Sequence, residues 1–111
     1  MDNETAAEAF GAMGHPSRIQ ILRYLVERGR DGADASTMVR ELEIAWTTLS
    51  HHLDHLKRAD LITATRDGRR MVHRAEFPKV ALLSSFLMQN CCAREEKTDE
   101  TPARPRRGYG S

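Results

Sequence analysis

Thr47-Thr-Leu-Ser-His-His-Leu-Asp-His-Leu-Lys-Arg-Ala-Asp-Leu61 carries two unlike surfaces. Leu49, Leu53 and Leu56 recur at i, i+4 and i+7, which places them on one face of an α-helix. The other face holds Thr47, Thr48, Ser50, His51, Asp54 and His55, all short or flat polar groups. Lys57 and Arg58 are held back to the C-terminal end. An ordinary solvated face shows water a fringe of long Lys and Glu side chains. A compact row of hydroxyls and imidazoles suits the edges of base pairs in a major groove instead. Thr47, Thr48, Ser50, His51, His55 and Lys57 are therefore the candidates for contact with double-stranded DNA.

The flanks agree with this. Downstream, Leu61–Arg66 and Arg69–Ala75 bracket Asp67-Gly68. Asp-Gly is a strong hairpin signal, because both central residues of a type I′ turn need positive φ. Arg66, Arg69 and Arg70 cluster at the expected tip, within reach of a phosphate or a minor groove. Upstream, a short helix from about Ser36 to Leu42 turns Met38, Val39 and Leu42 inward, and Glu43–Trp46 forms a brief turn. Short helix, tight turn and a helix with a polar face make a helix-turn-helix. A basic hairpin directly after it makes a winged helix, mostly α with a β-hairpin wing.

Farther upstream, Glu4–Met13 is Ala-rich and helix-prone, anchored by Phe10 and Met13. Pro16, after Gly14-His15, opens a second helix, since its preset φ suits a first turn. Ile19, Leu22, Leu25 and Val26 are its expected buried stripe, and His15 its capping residue. Gly29 ends it, and Gly29–Ala33 is read as a loop. Phe77-Pro78 opens a last helix running to about Cys92. Its Val80, Leu82, Leu83, Phe86, Leu87 and Met88 exceed one stripe, and a helix apolar over most of its circumference is buried on two sides. In a domain this small the second side implies another copy of the chain, a homodimer through the terminal helices. Residues 1–93 form the expected DNA-binding and dimerisation domain. Residues 94–111 mix basic and acidic groups without apolar period and read as a disordered tail.

Composition bounds the rest. The chain has 111 residues, enough for one small domain, and 40% of them are hydrophobic. No apolar run approaches the roughly 18 residues of a membrane span. The acidic opening Met1–Thr5 lacks a signal-peptide core, so the expected location is cytoplasmic. The formal net charge is only +1, but it is unevenly spread. Lys57–Lys79 holds seven basic against three acidic residues, while Asp2, Glu4 and Glu8 make the start acidic. An anionic partner on the later part of the chain follows.

At this point the chain resembles the ArsR family of bacterial winged-helix repressors over roughly residues 7–92. Met13-Gly-His-Pro-Ser-Arg-Ile-Gln-Ile-Leu22 resembles the family's Pro-x-Arg-Leu-x-Ile-Leu opening. Thr48-Leu-Ser-His-His-Leu53, Leu56 and Ala59-Asp-Leu61 resemble its recognition helix, and Arg66-Asp-Gly-Arg-Arg70 through Arg74 its wing. The resemblance implies a homodimer that binds operator DNA without a cofactor, has no enzymatic activity, and lets go when a metal or metalloid binds. Two positions depart from the pattern. Asp60 stands where the family prefers Gly, and Asp54 where Lys is common.

The resemblance also frames the search for an inducer site. The family's Cys-x-Cys positions hold Asp34 and Ser36 here, so that site is absent. A zinc or cobalt site on the last helix needs carboxylates or imidazoles, and Lys79–Asn90 has neither. A zinc site on His51, His52 and His55 would block the reading face. What remains is Cys91-Cys92, the sole cysteines. Soft thiolates select soft thiophiles, so the expected inducer is trivalent arsenic or antimony, As(III) or Sb(III). Two thiolates fill two of arsenic's three positions. The third falls to the partner chain, a small thiol, or a methyl already on the metal, as in methylarsenite. Neighbouring residues on a helix point about 100° apart, so both thiols meet one ion only where the helix frays. Three alternatives stay open: a redox or sulfide sensor using the same thiols, a thiol enzyme, and a module for protein or RNA contact. Among the other histidines, His52 reads as a packed helix residue and His73 as a surface one.

Overall fold

The computed structural model describes residues 1–95. The expectation of a tail from Arg94 falls, apart from Arg94 and Glu95, outside those residues. Helix α1 (Asn3–Met13) is capped by Asp2, whose carboxylate accepts from Thr5 N at 2.8 Å. It buries Ala6 and Ala9. Helix α2 (Pro16–Arg28) starts as expected, with His15 Nδ1 accepting from Ser17 N at 3.1 Å and Pro16 in the first turn. Its buried face differs from the expected stripe. Ile21, Leu22 and Leu25 are buried, whereas Ile19 and Val26 remain 44% and 40% exposed. Apolar residues at 19, 21, 22, 25 and 26 fit two adjacent stripes, and the sheet and α4 cover the one centred on Ile21 and Leu25.

The segment expected as a loop makes a 3₁₀ turn (Gly29–Asp31) and then a two-residue strand, β1 (Ala33–Asp34). Gly32 joins them at φ +58°, where a Cβ would stand 2.3 Å from His73 O, so no other residue fits. Helix α3 (Ala35–Leu42) is capped by Asp34, which accepts from Thr37 N at 3.0 Å. Glu43, left-handed at φ 55°, turns the chain toward α4 (Trp46–Arg58). The end of α4 follows the Schellman pattern: Asp60 is left-handed at φ 59° and Leu61 N donates to Leu56 O at 3.0 Å. Asp60 thus serves where the family prefers Gly.

Strands β2 (Ile62–Asp67) and β3 (Arg70–Ala75) form the hairpin, and β1 adds to the far edge of β3 in an antiparallel order β1-β3-β2. Asp67 pairs with Arg70, so the two-residue turn is Gly68-Arg69, one position beyond the expected Asp67-Gly68. Only Gly68 has positive φ (67°), the requirement of a type II′ turn rather than I′. His73 is a second correction: it is 5% exposed, opposite Ala33 of β1, not on the surface. Helix α5 (Phe77–Met88) stops four residues short of Cys92. It gives Leu83 to the core, with Val80 and Phe86 against it, while Leu82, Leu87 and Met88 stay 47%, 66% and 62% exposed. Among the described residues no helix is long and apolar enough to cross a membrane.

Candidate nucleic-acid interface and thiol pair

Helix α4 is held from beneath by Leu49, Leu53 and Leu56, all 5% exposed or less, and by His52. Burial depresses the His52 pKa, and the nearby His15 and Arg18 act in the same direction. Its neutral ring lies with Nδ1 3.3 Å from Arg18 Nη1, and Arg18 Nε donates to Ala12 O at 2.6 Å. One guanidinium thereby joins the end of α1, the start of α2 and the underside of α4. With the underside fixed, Thr47, Thr48, Ser50, His51 and Lys57 are exposed together, and His55 is half-buried. His51 and His55 stack edge-on at 4.7 Å. Desolvation and the charge of Arg18 lower the His55 pKa, which favours the neutral form of that ring beside the hydroxyl row. Trp46 also stands 53% exposed on the first turn of α4, although its sequence neighbourhood reads as the preceding turn.

The wing separates its three arginines. Arg66 and Arg69 are exposed at the tip. Arg70 Nε instead donates to Asp34 Oδ2 at 3.0 Å, an ion pair linking β3 to the cap of α3. Hydrogen bonds from Thr37, then Arg70, hold the Asp34 carboxyl well below the usual carboxylate range. Arg74 braces the hairpin, donating to Arg30 O at 2.6 Å and Thr65 Oγ1 at 2.8 Å.

Comparison with known proteins matches this arrangement. A helix-turn-helix domain family covers residues 13–64. The HTH-type transcriptional regulator MJ1325 of Methanocaldococcus jannaschii is 40% identical over 59% of this chain and 71% of its own. The regulator Rv0081 of Mycobacterium tuberculosis is 36% identical over 69% of this chain, which spans 66% of that protein. Its crystal structure superposes with a TM-score of 0.61 at 32% identity, over 79% of this chain and 85% of the other. The chain belongs to the HTH-type transcriptional regulators, with the ArsR winged-helix fold. An ArsR-like regulator from Rhodococcus sp. RHA1 shares that fold with a TM-score of 0.70 at 23% identity over 82% of each chain. So does the homodimeric winged helix-turn-helix domain of Mb0332 from Mycobacterium bovis, with a TM-score of 0.64 at 24% identity over 88% and 89%. A probable mercury resistance operon repressor of Streptomyces lividans is 28% identical over 81% of this chain and 68% of its own.

In this HTH-type regulator the two cysteines lie beyond α5, on consecutive tight turns. Cys91 N donates to Met88 O at 3.0 Å and Ala93 N to Asn90 O at 3.0 Å, with Asn90 and Cys92 both left-handed (φ 60° and 62°). These turns remove the 100° divergence that a continued helix would impose. Cys91 Sγ and Cys92 Sγ are 3.3 Å apart, exposed and reduced. The hydrogen bond and charge of Cys91, with Glu95 adding to them, push the Cys92 thiol up to about 11. The Cys92 thiol therefore keeps its proton near neutral pH. Two sulfurs at this separation can both bond one soft centre at about 2.3 Å each.

Proposed function

We propose that two copies of this chain bind a near-palindromic operator duplex and repress transcription, and that trivalent arsenic or antimony at Cys91 and Cys92 releases it. The two α4 helices enter successive major grooves about 34 Å apart. Thr47, Thr48, Ser50, His51 and His55 meet base edges or phosphates, Lys57 the backbone, and Arg66, Arg69 and Arg70 the flanks. The role is binding rather than catalysis, and DNA binding needs no cofactor.

The dimer reading rests on the exposed Leu82, Leu87 and Met88 of α5 and on an apolar groove of about 430 Å³ beside it, which Ile19 and Val26 help line. The inducer reading rests on one observation above all: two exposed thiols 3.3 Å apart, placed by turns directly after that dimer helix. A centre bridging them alters the end of α5, and through it how the two subunits sit. A coupling of about 1–3 kcal/mol is enough to change operator occupancy. With two cysteines per chain, a methylated trivalent arsenical, needing only two sulfurs, is the preferred form.

The test is a band shift with the duplex upstream of the gene, for the wild type and Cys91→Ser/Cys92→Ser, against arsenite, antimonite, methylarsenite and Hg(II). Release of the wild type by the arsenicals or antimonite, and not of the double variant, is expected. Equal release of both would put the effector site elsewhere. Release by peroxide or polysulfide, with the arsenicals inert, would favour the redox reading of the same thiols. Selective release by Hg(II) would align the chain with its Streptomyces relative.

A further inference from the structure

Trp46 is the chain's one tryptophan, and among the described residues it has no place in the core. It lies outside the core cluster and outside the partly buried shell packed against that core. It opens α4 behind Ala45, which caps the helix with no side-chain hydrogen bond, and 53% of it faces water. Ser50 follows at i+4, so the indole and that hydroxyl share a flank of the exposed face.

A groove-reading helix brings its N-terminal residues closest to the base edges. In the first two turns of α4, Thr47, Thr48, Ser50 and His51 are exposed and polar, able to address donors and acceptors. Trp46 alone offers a broad apolar surface there. Of the features on the major-groove edge of a base pair, the apolar one is the 5-methyl group of thymine. The excess of basic residues from Lys57 to Lys79, which follows the reading face directly, suits a duplex as the occupant of this flank.

We propose that Trp46 is a specificity-determining contact that packs its indole against thymine methyl groups in the operator. The proposal rests on the reading of α4 as the groove-reading helix and adds to it a chemical preference.

The experiment uses a duplex selected from a random library with the full chain. Binding is then titrated by fluorescence anisotropy at one fixed salt concentration, on that duplex and on a copy carrying deoxyuridine in place of every thymidine. The wild type should weaken about fourfold for each methyl group that the indole covers, and its indole emission should change on binding. Trp46→Ala should already be weak on the thymidine duplex and indifferent to the exchange, whereas Trp46→Phe should keep part of the sensitivity. Circular dichroism confirms that the variants fold, as the exposure of Trp46 leads one to expect. Equal losses for wild type and Trp46→Ala on removing the methyls, or equal affinities on the thymidine duplex, would overturn the proposal. Failure to select any duplex would be a different result: it would remove the DNA-reading role of α4, and this proposal with it.

Discussion

Asp34 Oδ2 lies 3.0 Å from Arg70 Nε while Asp34 Oδ1 accepts from Thr37 N, so one carboxylate caps α3 and moors the wing. Asp34→Ala should cost about 1 kcal/mol for the cap. The pair adds less, since Arg70 is half exposed. Arg70→Ala should therefore destabilise by roughly 0.5 kcal/mol or less, as urea denaturation would show. Because the folded state holds the Asp34 carboxyl low, its contribution is present above pH 3.8 and is lost as the pH falls below that value. Stability of Asp34→Asn should show less of this acid dependence.

His73 supplies a second pH signal. It is buried between Ala33 and Ala64, and among the described residues its Nδ1 has no hydrogen-bond partner. Burial and the charge of Lys57 lower its pKa, outweighing a backbone hydrogen bond at Ala33 and the charge of Asp34. Above about pH 6.5 folded and unfolded chains both carry neutral His73, and its contribution is constant. As the pH falls through 6.5 the unfolded chain takes up a proton that the folded one resists, so stability declines. The Tm should fall between pH 7 and 5, and His73→Leu should fall less steeply. His52, depressed in the same way, accounts for part of the residual slope.

What is local in this fold is legible in the sequence, and what depends on distant pairing is not. The α4 stripe and the Asp60 cap each rest on local pattern, either helical period or left-handed tolerance. The burial of His73 depends on β1, whose two residues are too short to carry a strand signal and acquire one only by pairing with β3. The same holds for Arg70: its basic neighbourhood is plain, but its partner lies 36 residues away. The hairpin is legible and its register is not, since Asp-Gly and Gly-Arg both offer a glycine and the flanking pairs decide which turn closes. The cysteines are visible as a pair. That the helix ends before them, at Met88, follows from extended Gln89 (ψ 132°) and left-handed Asn90 after it, which no periodicity announces.

The wing arginines should differ in their response to DNA. Arg66 and Arg69 are exposed at the tip, whereas Arg70 is engaged by Asp34. Every phosphate that a side chain ceases to neutralise lowers the slope of log K against log salt by about 0.9. Arg69→Ala should therefore weaken binding to any duplex and reduce that slope by about 0.9 for each phosphate it holds. Arg70→Ala should change it less. Ser50→Ala and His51→Ala should instead leave the slope nearly intact and lower the ratio of operator to random-sequence affinity. A matched drop in slope for Arg69→Ala and Arg70→Ala would mean that the Asp34 pair opens when DNA binds.

The exposed end of α5 makes the strongest demand on assembly. Leu87 and Met88, 66% and 62% exposed, contribute little to the core of one chain, so polar substitution there should spare the fold. Removing two large apolar side chains from an interface costs about 1.5–3 kcal/mol each, and in a two-fold dimer each loss counts twice. Leu87→Gln/Met88→Gln should therefore shift the protein to monomer at micromolar concentration, by sedimentation velocity, with the Tm of the isolated fold nearly unchanged. Operator affinity should collapse, since a single α4 meets only one half-site. Leu83→Ala makes the opposite control. Leu83 is 2% exposed, so it should lose about 2–5 kcal/mol of stability. A double variant that stays dimeric would mean that the subunits do not meet through the end of α5.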